Sequence, residues 1–202
     1  MSTIIAVEGI DGSGKSTFIK NLVKTLRRVK GVKREEILTV SITKLPEHRD
    51  KFKIIFEAGA LDRALFDKTY ADAINNLKIN LGQYKYIIFD RHIWSSYAYS
   101  YATVGNEYVS YWRYLDELSS NTRLPDVWLY LNNDVGDSVK RAGARDNRDN
   151  ITHYETADKL KLVRRGYNRS YNRFDNVIDI NRYPLGSKEY KTQLTGIVNE
   201  LP

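Results

Sequence analysis

Residues Gly9 to Thr17 read Gly-Ile-Asp-Gly-Ser-Gly-Lys-Ser-Thr, and that string narrows the possible folds more than any other part of the chain. The spacing is G-x-x-x-x-G-K-S, in which glycines let backbone N–H groups turn inward around polyphosphate oxygens. Such a loop has to join a strand to a helix. The flanks agree: Ile4 to Val7 is a short apolar run, and Phe18, Ile19, Leu22, Val23 and Leu26 recur at helical spacing. The loop is therefore expected at a helix N-terminus, where free N–H groups and the helix dipole favour an anion. Gly9, Gly12, Ser13, Gly14, Lys15, Ser16 and Thr17 are the candidate phosphate-binding residues. Lys15 has the reach for the β- and γ-phosphates, and the Ser16 hydroxyl is a candidate Mg²⁺ ligand.

The rest of the chain alternates strand and helix patterns, which predicts an α/β fold with a central parallel sheet of five strands flanked by helices. The strands are expected at Ile4–Val7, Ile37–Ile42, Tyr86–Phe89, Val127–Leu131 and Val177–Ile180. Thr43 to Lys51, with Pro46 and several charges, reads as a loop. Helical periodicity covers Lys53–Arg63, Asp67–Leu81, a Tyr-rich stretch from Ser95 to Ser119 with Gly105 as a break point, Val135–Arg141, Thr156–Phe174 and Ser187–Glu200. With 202 residues the chain suits one domain with a full core. It has no cysteine, which excludes disulfides and thiolate metal sites. No apolar run approaches the ~20 residues of a membrane span, and Glu8 and Asp11 interrupt any signal-peptide core, so the expected location is cytoplasmic. The net charge of +7 fits nucleic acid, an anionic membrane surface or a small polyanionic substrate.

Chemistry needs more than a phosphate loop, and two segments can supply it. Phe89-Asp90-Arg91-His92 follows the apolar run Ile87 to Phe89. An acidic residue at the C-terminal end of a strand is where a phosphate-loop protein holds Mg²⁺, so Asp90 is a metal candidate, and Arg91 suits a phosphate placed opposite the nucleotide. The second segment carries Arg141, Arg145 and Arg148 in a polar stretch between two helices. Gly12 and Ser13 give the phosphate loop no cation for the transferring group. An arginine acting in cis is then the usual solution, with Arg145 and Arg148 as candidates. Arg141, nearer the preceding helix, can stack on a base. The plainer readings are a strand-capping Asp–Arg pair and a solvated basic surface.

In this order the pieces resemble the thymidylate kinase family over nearly the whole chain. Val7 to Thr17 resembles its phosphate loop. Asp90-Arg91-His92 with Ser95-Ser96-Tyr97-Ala98-Tyr99 resembles its Asp-Arg-(Tyr/His) motif and the serine-rich helix start after it. Leu124-Pro125-Asp126 resembles its Pro-Asp strand, and Arg141 to Glu155 its lid, so residues 1–202 are expected to form one domain with a lid at about 141–155. A neutral Gly12 with Arg145 and Arg148 in the lid resembles the bacterial-type arrangement. The resemblance implies a P-loop kinase fold, ATP and Mg²⁺ as cofactors, and phosphorylation of dTMP to dTDP. It makes Lys15, Arg91, Arg145, Arg148 and Asp11 catalytic, with Asp11 on the acceptor 3′-hydroxyl and Arg91 on the acceptor phosphate. Adenine would lie by Asn181 and Arg182, thymine on Phe66, and the acceptor among Tyr70, Ser96 and Ser100. It also implies a homodimer through helical faces near Phe52 to Phe66 and Tyr97 to Tyr114.

Three departures fall on the acceptor side. Thr43 to His48 lacks the Gly pair of the family's Arg-Glu-Pro-Gly-Gly-like segment. Tyr70 stands where an arginine normally follows the stacking Phe by four positions. Ser100 replaces the Gln of Ala-Tyr-Gln. They leave room for a modified pyrimidine or another deoxynucleotide as acceptor. Two other readings follow from the same residues. One is a same-fold kinase acting on a deoxynucleoside or on DNA, for which the positive charge and the tyrosines of Tyr97 to Tyr114 are the motive. The other is a nucleotide-binding protein without catalysis.

Overall fold

The computed structural model describes residues 1–57, 63–77, 80–143, 156–180, 183 and 186–202. Five strands, β1 (Thr3–Glu8), β2 (Ile37–Val40), β3 (Tyr86–Asp90), β4 (Val127–Tyr130) and β5 (Val177–Asp179), form one sheet in the order β2-β3-β1-β4-β5. Every pairing is parallel, as the alternating sequence pattern predicts. The helices are α1 (Lys15–Val29), α2 (Pro46–Glu57), α3 (Arg63–Asn75), α4 (Ile93–Val104), α5 (Tyr108–Ser120), α6 (Val135–Gly143), α7 (Ala157–Ser170) and α8 (Lys188–Glu200). None among the described residues is long and apolar enough to cross a membrane.

A strand sends alternate side chains to opposite faces, and β1 shows how this divides the core. Ile5 and Val7 pack with Phe18, Leu22 and Leu26 of α1 and Leu194, Ile197 and Val198 of α8. Ile4 and Ala6 face the other way, into a larger cluster with Trp94, Tyr97, Ala98, Leu160 and Tyr167 from α4 and α7. Chain direction changes sides at β1, which lies between β3 and β4. Ligands in open parallel sheets bind in the crevice at such a switch point, beyond the C-terminal strand ends. That edge carries the phosphate loop after β1, Asp90 and Arg91 after β3, and Asn133 after β4.

Two expectations about local structure are corrected. The stretch around Pro46, expected to be a loop, opens α2. Proline lacks only the N–H that the first helical position leaves unbonded anyway, and its fixed φ suits the turn. The helix expected over Lys53–Arg63 overlaps the later part of α2, described as far as Glu57, and residues 58–62 of that expectation lie outside the described residues. The helix expected over Asp67–Leu81 corresponds to α3, described from Arg63, which ends at Asn75, short of Leu81. The break at Gly105 stands, with φ +58.

Most of the Tyr-rich stretch is packing. Trp94 sits among Trp128, Tyr130, Tyr167 and Phe174, with ring centroids 5.9, 5.1, 5.5 and 5.0 Å away, and Tyr97 packs on Trp112 and Phe174. The close crossing of α4 and α7 depends on Gly166, where an added Cβ would lie 2.5 Å from Ala98 O and 2.8 Å from its Cα. Gly166→Ala is expected to cost about 2 kcal/mol through overpacking, or roughly 6 °C in Tm for a chain of this size. Thermal denaturation followed by circular dichroism checks this.

Candidate active site

The phosphate loop turns from β1 into α1 through backbone that its glycines permit. Gly12 has φ +75, and it also has no space: a Cβ there would lie 2.1 Å from the carbonyl oxygen of Ser138 on α6. No arginine can stand at position 12 while α6 packs on the loop, which gives a physical reason for its neutrality. Gly14, at φ +92, faces open space at the start of α1. The Phe18 N–H is the first of the helix to reach a carbonyl, 2.9 Å from Gly14 O. The amides of Lys15, Ser16 and Thr17 lie ahead of it, where helix geometry offers no carbonyl.

Several features of this loop fit a bound polyphosphate. Ser13 is buried, and its Oγ has no hydrogen-bond partner among the described residues. An orphaned hydroxyl of this kind is costly unless a ligand satisfies it. Lys15 is buried, with Nζ donating to Gly9 O at 3.1 Å and Ile10 O at 2.9 Å. Burial first, and the nearby Arg91 charge second, push its ammonium down to about 8. The Asn133 side-chain amide donates to Ser13 O and ties the end of β4 to the loop. Ser16 and Thr17 are exposed in the first turn of α1. Asp90 is paired in register with Val7, and strand alternation puts it on the α1 face with Lys15. Among the described residues no group of three His, Cys, Asp or Glu side chains could hold a metal. A hydroxyl from Ser16, a carboxylate from Asp90 and substrate phosphates is a donor set that suits Mg²⁺, which keeps several waters.

The side of the loop toward α4 and α7 is built around Arg91, whose φ of +74 is unusual for a non-glycine residue. Three hydrogen bonds hold that backbone. Arg91 N donates to Val7 O at 3.1 Å, Tyr70 OH to Arg91 O at 3.0 Å, and His92 N to Glu8 Oε1 at 2.7 Å. The guanidinium turns back over the phosphate loop. Nη1 donates to Gly9 O, Tyr167 OH and Ser95 Oγ at 2.8, 3.0 and 3.2 Å. Nη2 makes a 2.6 Å ion pair with Asp11 Oδ1, and the Tyr99 ring lies 5.0 Å from the guanidinium carbon. Tyr99 OH donates to the other Asp11 oxygen at 2.6 Å. Burial favours the neutral Asp11 carboxyl, but the charges of Arg91 and Lys15 and the Tyr99 bond outweigh it and hold it well below the usual carboxylate range. Each Asp11 oxygen keeps a lone pair for a hydroxyl such as a sugar 3′-OH.

Phe66 and Tyr70 stack on the same face of α3 at an interplanar angle of 16°, and Phe52 of α2 packs 5.2 Å from the Phe66 ring. Tyr70 occupies the place where the resemblance leads one to expect an arginine. The guanidinium at Phe66 comes instead from Arg63, one turn earlier, 4.8 Å from the ring centroid. Arg63 forms a buried two-point pair with Asp67, and Tyr111 OH donates to Asp67 Oδ2 at 2.9 Å.

Thus Asp11, Lys15 and Arg91 converge on one loop, with Phe66 and Tyr70 adjoining through the Tyr70–Arg91 bond. Other expected site residues lie elsewhere. Ser100 turns into the α4–α5 interface, where its hydroxyl donates to Tyr97 O at 3.0 Å and accepts from Trp112 Nε1 at 3.2 Å, so it is not free for a base. Ser96 is buried with no hydrogen bond to the Arg91 cluster among those described. Arg141 is exposed near the end of α6. His92 is buried edge-on between Phe89 and Trp128. Burial pushes its imidazole down to about 3, which keeps the ring neutral in the core. Arg145, Arg148, Asn181 and Arg182 lie outside the described residues.

Sequence reasoning missed Glu8, Ser95, Tyr99, Tyr167 and Asn133 as site residues. Period-2 alternation in β1 could have found Glu8, because Ile4, Ala6 and Glu8 share the α4–α7 face. Tyr167 sits on a helix 159 residues from Glu8, and nothing local signals it.

The thymidylate kinase family model matches residues 7–184. The chain is 27% identical over 167 residues to a thymidylate kinase of Leptospira borgpetersenii, covering 82% of this chain and 79% of that protein. It is 29% identical over 173 residues to a probable thymidylate kinase of Thermoplasma acidophilum, covering 81% of each. It is 30% identical over 171 residues to a probable thymidylate kinase of Saccharolobus solfataricus, covering 83% of this chain and 82% of that one. Its fold matches the crystal structure of thymidylate kinase from Ehrlichia chaffeensis with a TM-score of 0.68, 20% identity and 98% of each chain covered.

Proposed function

Because the chain belongs to the thymidylate kinase family, we propose that it transfers the γ-phosphoryl group of ATP to dTMP, giving dTDP and ADP. The observation that carries this reading is the ion pair between Asp11 and Arg91. It joins the loop built for the donor's phosphates to a guanidinium that suits the acceptor's phosphate. In the reaction a bond forms between an acceptor phosphate oxygen and the γ-phosphorus, and the bond from the γ-phosphorus to the β–γ bridging oxygen breaks. The acceptor oxygen is already anionic at neutral pH, so no separate general base is needed. Catalysis is mainly positioning and charge neutralisation.

The loop amides, Ser13 and Lys15 are the proposed ligands of the ATP phosphates, with Ser16 and Asp90 toward Mg²⁺. Mg²⁺, when bound, supplies neutralisation of charge on the phosphate oxygens. Arg91 orients the acceptor phosphate, and Asp11 accepts from the sugar hydroxyl. With position 12 closed to side chains, cationic help for the moving group falls to Arg145 and Arg148, while Arg141, Asn181 and Arg182 are assigned to the adenine side. Exposed Ile54, Leu65 and Val109 are consistent with the homodimer that the resemblance implies.

A panel of deoxynucleoside monophosphates assayed for ADP formation tests the reading. The expected result is Mg²⁺-dependent ADP release that is fastest with dTMP. Faster turnover of a modified pyrimidine would keep the reaction and change the acceptor, and silence across the panel would overturn the reading.

A further inference from the structure

Glu8 is fully buried at the end of β1 and takes no part in the steps above. Oε1 accepts from the His92 backbone N–H at 2.7 Å. Oε2 accepts from Ser95 Oγ at 2.6 Å and from Tyr167 OH at 2.9 Å. The two hydroxyl oxygens are 2.8 Å apart, and both lie within hydrogen-bond distance of Nη1 of Arg91, whose two protons they share with Gly9 O. Each hydroxyl has one proton. The Ser95 proton goes to Glu8, and that of Tyr167 to Glu8 or to one of its two other neighbours, Ser95 Oγ and the Gly9 carbonyl. Either way both oxygens keep lone pairs toward the guanidinium.

We propose that Glu8 is a positioning residue for Arg91: its carboxylate draws the Ser95 and Tyr167 hydroxyl protons to itself, so that their lone pairs hold the guanidinium in place for the acceptor phosphate. The same carboxylate anchors the His92 amide directly after Arg91 and thereby helps hold the φ of +74. Burial raises the Glu8 carboxyl from its ordinary value, against the opposing charge of Arg91. This cost of desolvation is difficult to explain by packing alone, since an apolar side chain would fill the space without it. Glu8 thus acts through Arg91 and touches no substrate.

The proposal rests on Arg91 being the acceptor-phosphate ligand, and Glu8→Gln tests it with little change in volume. The amide oxygen is retained by the His92 N–H, which leaves the NH₂ facing Ser95 and Tyr167. It donates into their oxygens, and their protons turn toward Arg91, where they meet N–H groups. The expected result is dTMP binding weaker by about 20-fold in calorimetry without ATP. The ATP dissociation constant should stay within about twofold, because Lys15 and the loop amides are left in place. Tyr167→Phe alone should weaken dTMP binding several-fold, and adding it to Glu8→Gln should cost little more, since the two act through one hydroxyl.

If Glu8→Gln does not fold, Ser95→Ala and Tyr167→Phe carry the same readout, a selective loss of dTMP affinity with ATP affinity retained. A lower Tm with unchanged dTMP binding, equal loss of both ligands, or additive effects of Glu8→Gln and Tyr167→Phe would overturn the proposal. Wild-type protein that binds ATP but no deoxynucleoside monophosphate would overturn the acceptor reading itself. Wild-type binding of dTMP that Glu8→Gln leaves intact overturns only the role of Glu8.

Discussion

Replacing Lys15 by Ala is expected to lower kcat by roughly 10³-fold or more, the range seen when a cation is removed from a phosphoryl-transfer site. The side chain is the only cation in Gly9 to Thr17, so the loop amides alone would face the β- and γ-phosphates. Misfolding should not account for the loss. Burial pushes the Lys15 ammonium down to about 8, so the folded loop holds that proton less tightly than the unfolded chain does, and the charge works against folding at neutral pH. The Tm of Lys15→Ala should stay within a few degrees of wild type. Steady-state kinetics with a Tm control checks both parts. Activity that survives the change would mean that the phosphate loop is not the donor site.

Arg91→Lys is expected to lower kcat/KM for the acceptor by about 10³-fold while leaving KM for ATP near the wild-type value. The substitution keeps the positive charge, so a purely electrostatic role would survive it. The geometry is what it removes. Arg91 uses Nη1 on Gly9, Tyr167 and Ser95, and Nη2 on Asp11. A lysine has one nitrogen and cannot bridge all four or offer a planar fork to a phosphate. Asp11 should lose its ion pair, and with it the placement that suits a sugar hydroxyl. Initial rates with each substrate varied in turn separate the two effects. A fall confined to ATP would show that Arg91 serves the donor instead.

How far the sequence anticipates this molecule depends on the range of the forces involved. The phosphate loop is legible because its requirements are local: glycines where φ is positive, a lysine at fixed spacing, a helix after it. The five strands are legible from apolar runs. Their order, β2-β3-β1-β4-β5, is not written in those runs, because it is set by tertiary packing. The acceptor side is less legible because its contacts are tertiary. Ser100 follows the same helix as Tyr99, but the i, i+1 turn points its hydroxyl to Trp112 on α5 while Tyr99 faces Asp11. Arg63 reaches Phe66 from one turn earlier on α3, so a search by fixed offset from the ring passes over it. The Glu8 network joins four elements, and only the Glu8 end has a sequence signature. Pro46 misled for the opposite reason: a local rule that ends helices also permits starting them.

The central claim is that this site moves the γ-phosphoryl group of ATP onto dTMP. Its most direct measurement is transfer of label from γ-labelled ATP, with Mg²⁺, to a separated and identified product. The account predicts label in dTDP, none without Mg²⁺, and about 10³-fold less with Lys15→Ala. Label that appears only as inorganic phosphate, or a dTDP signal unchanged by Lys15→Ala, would contradict it.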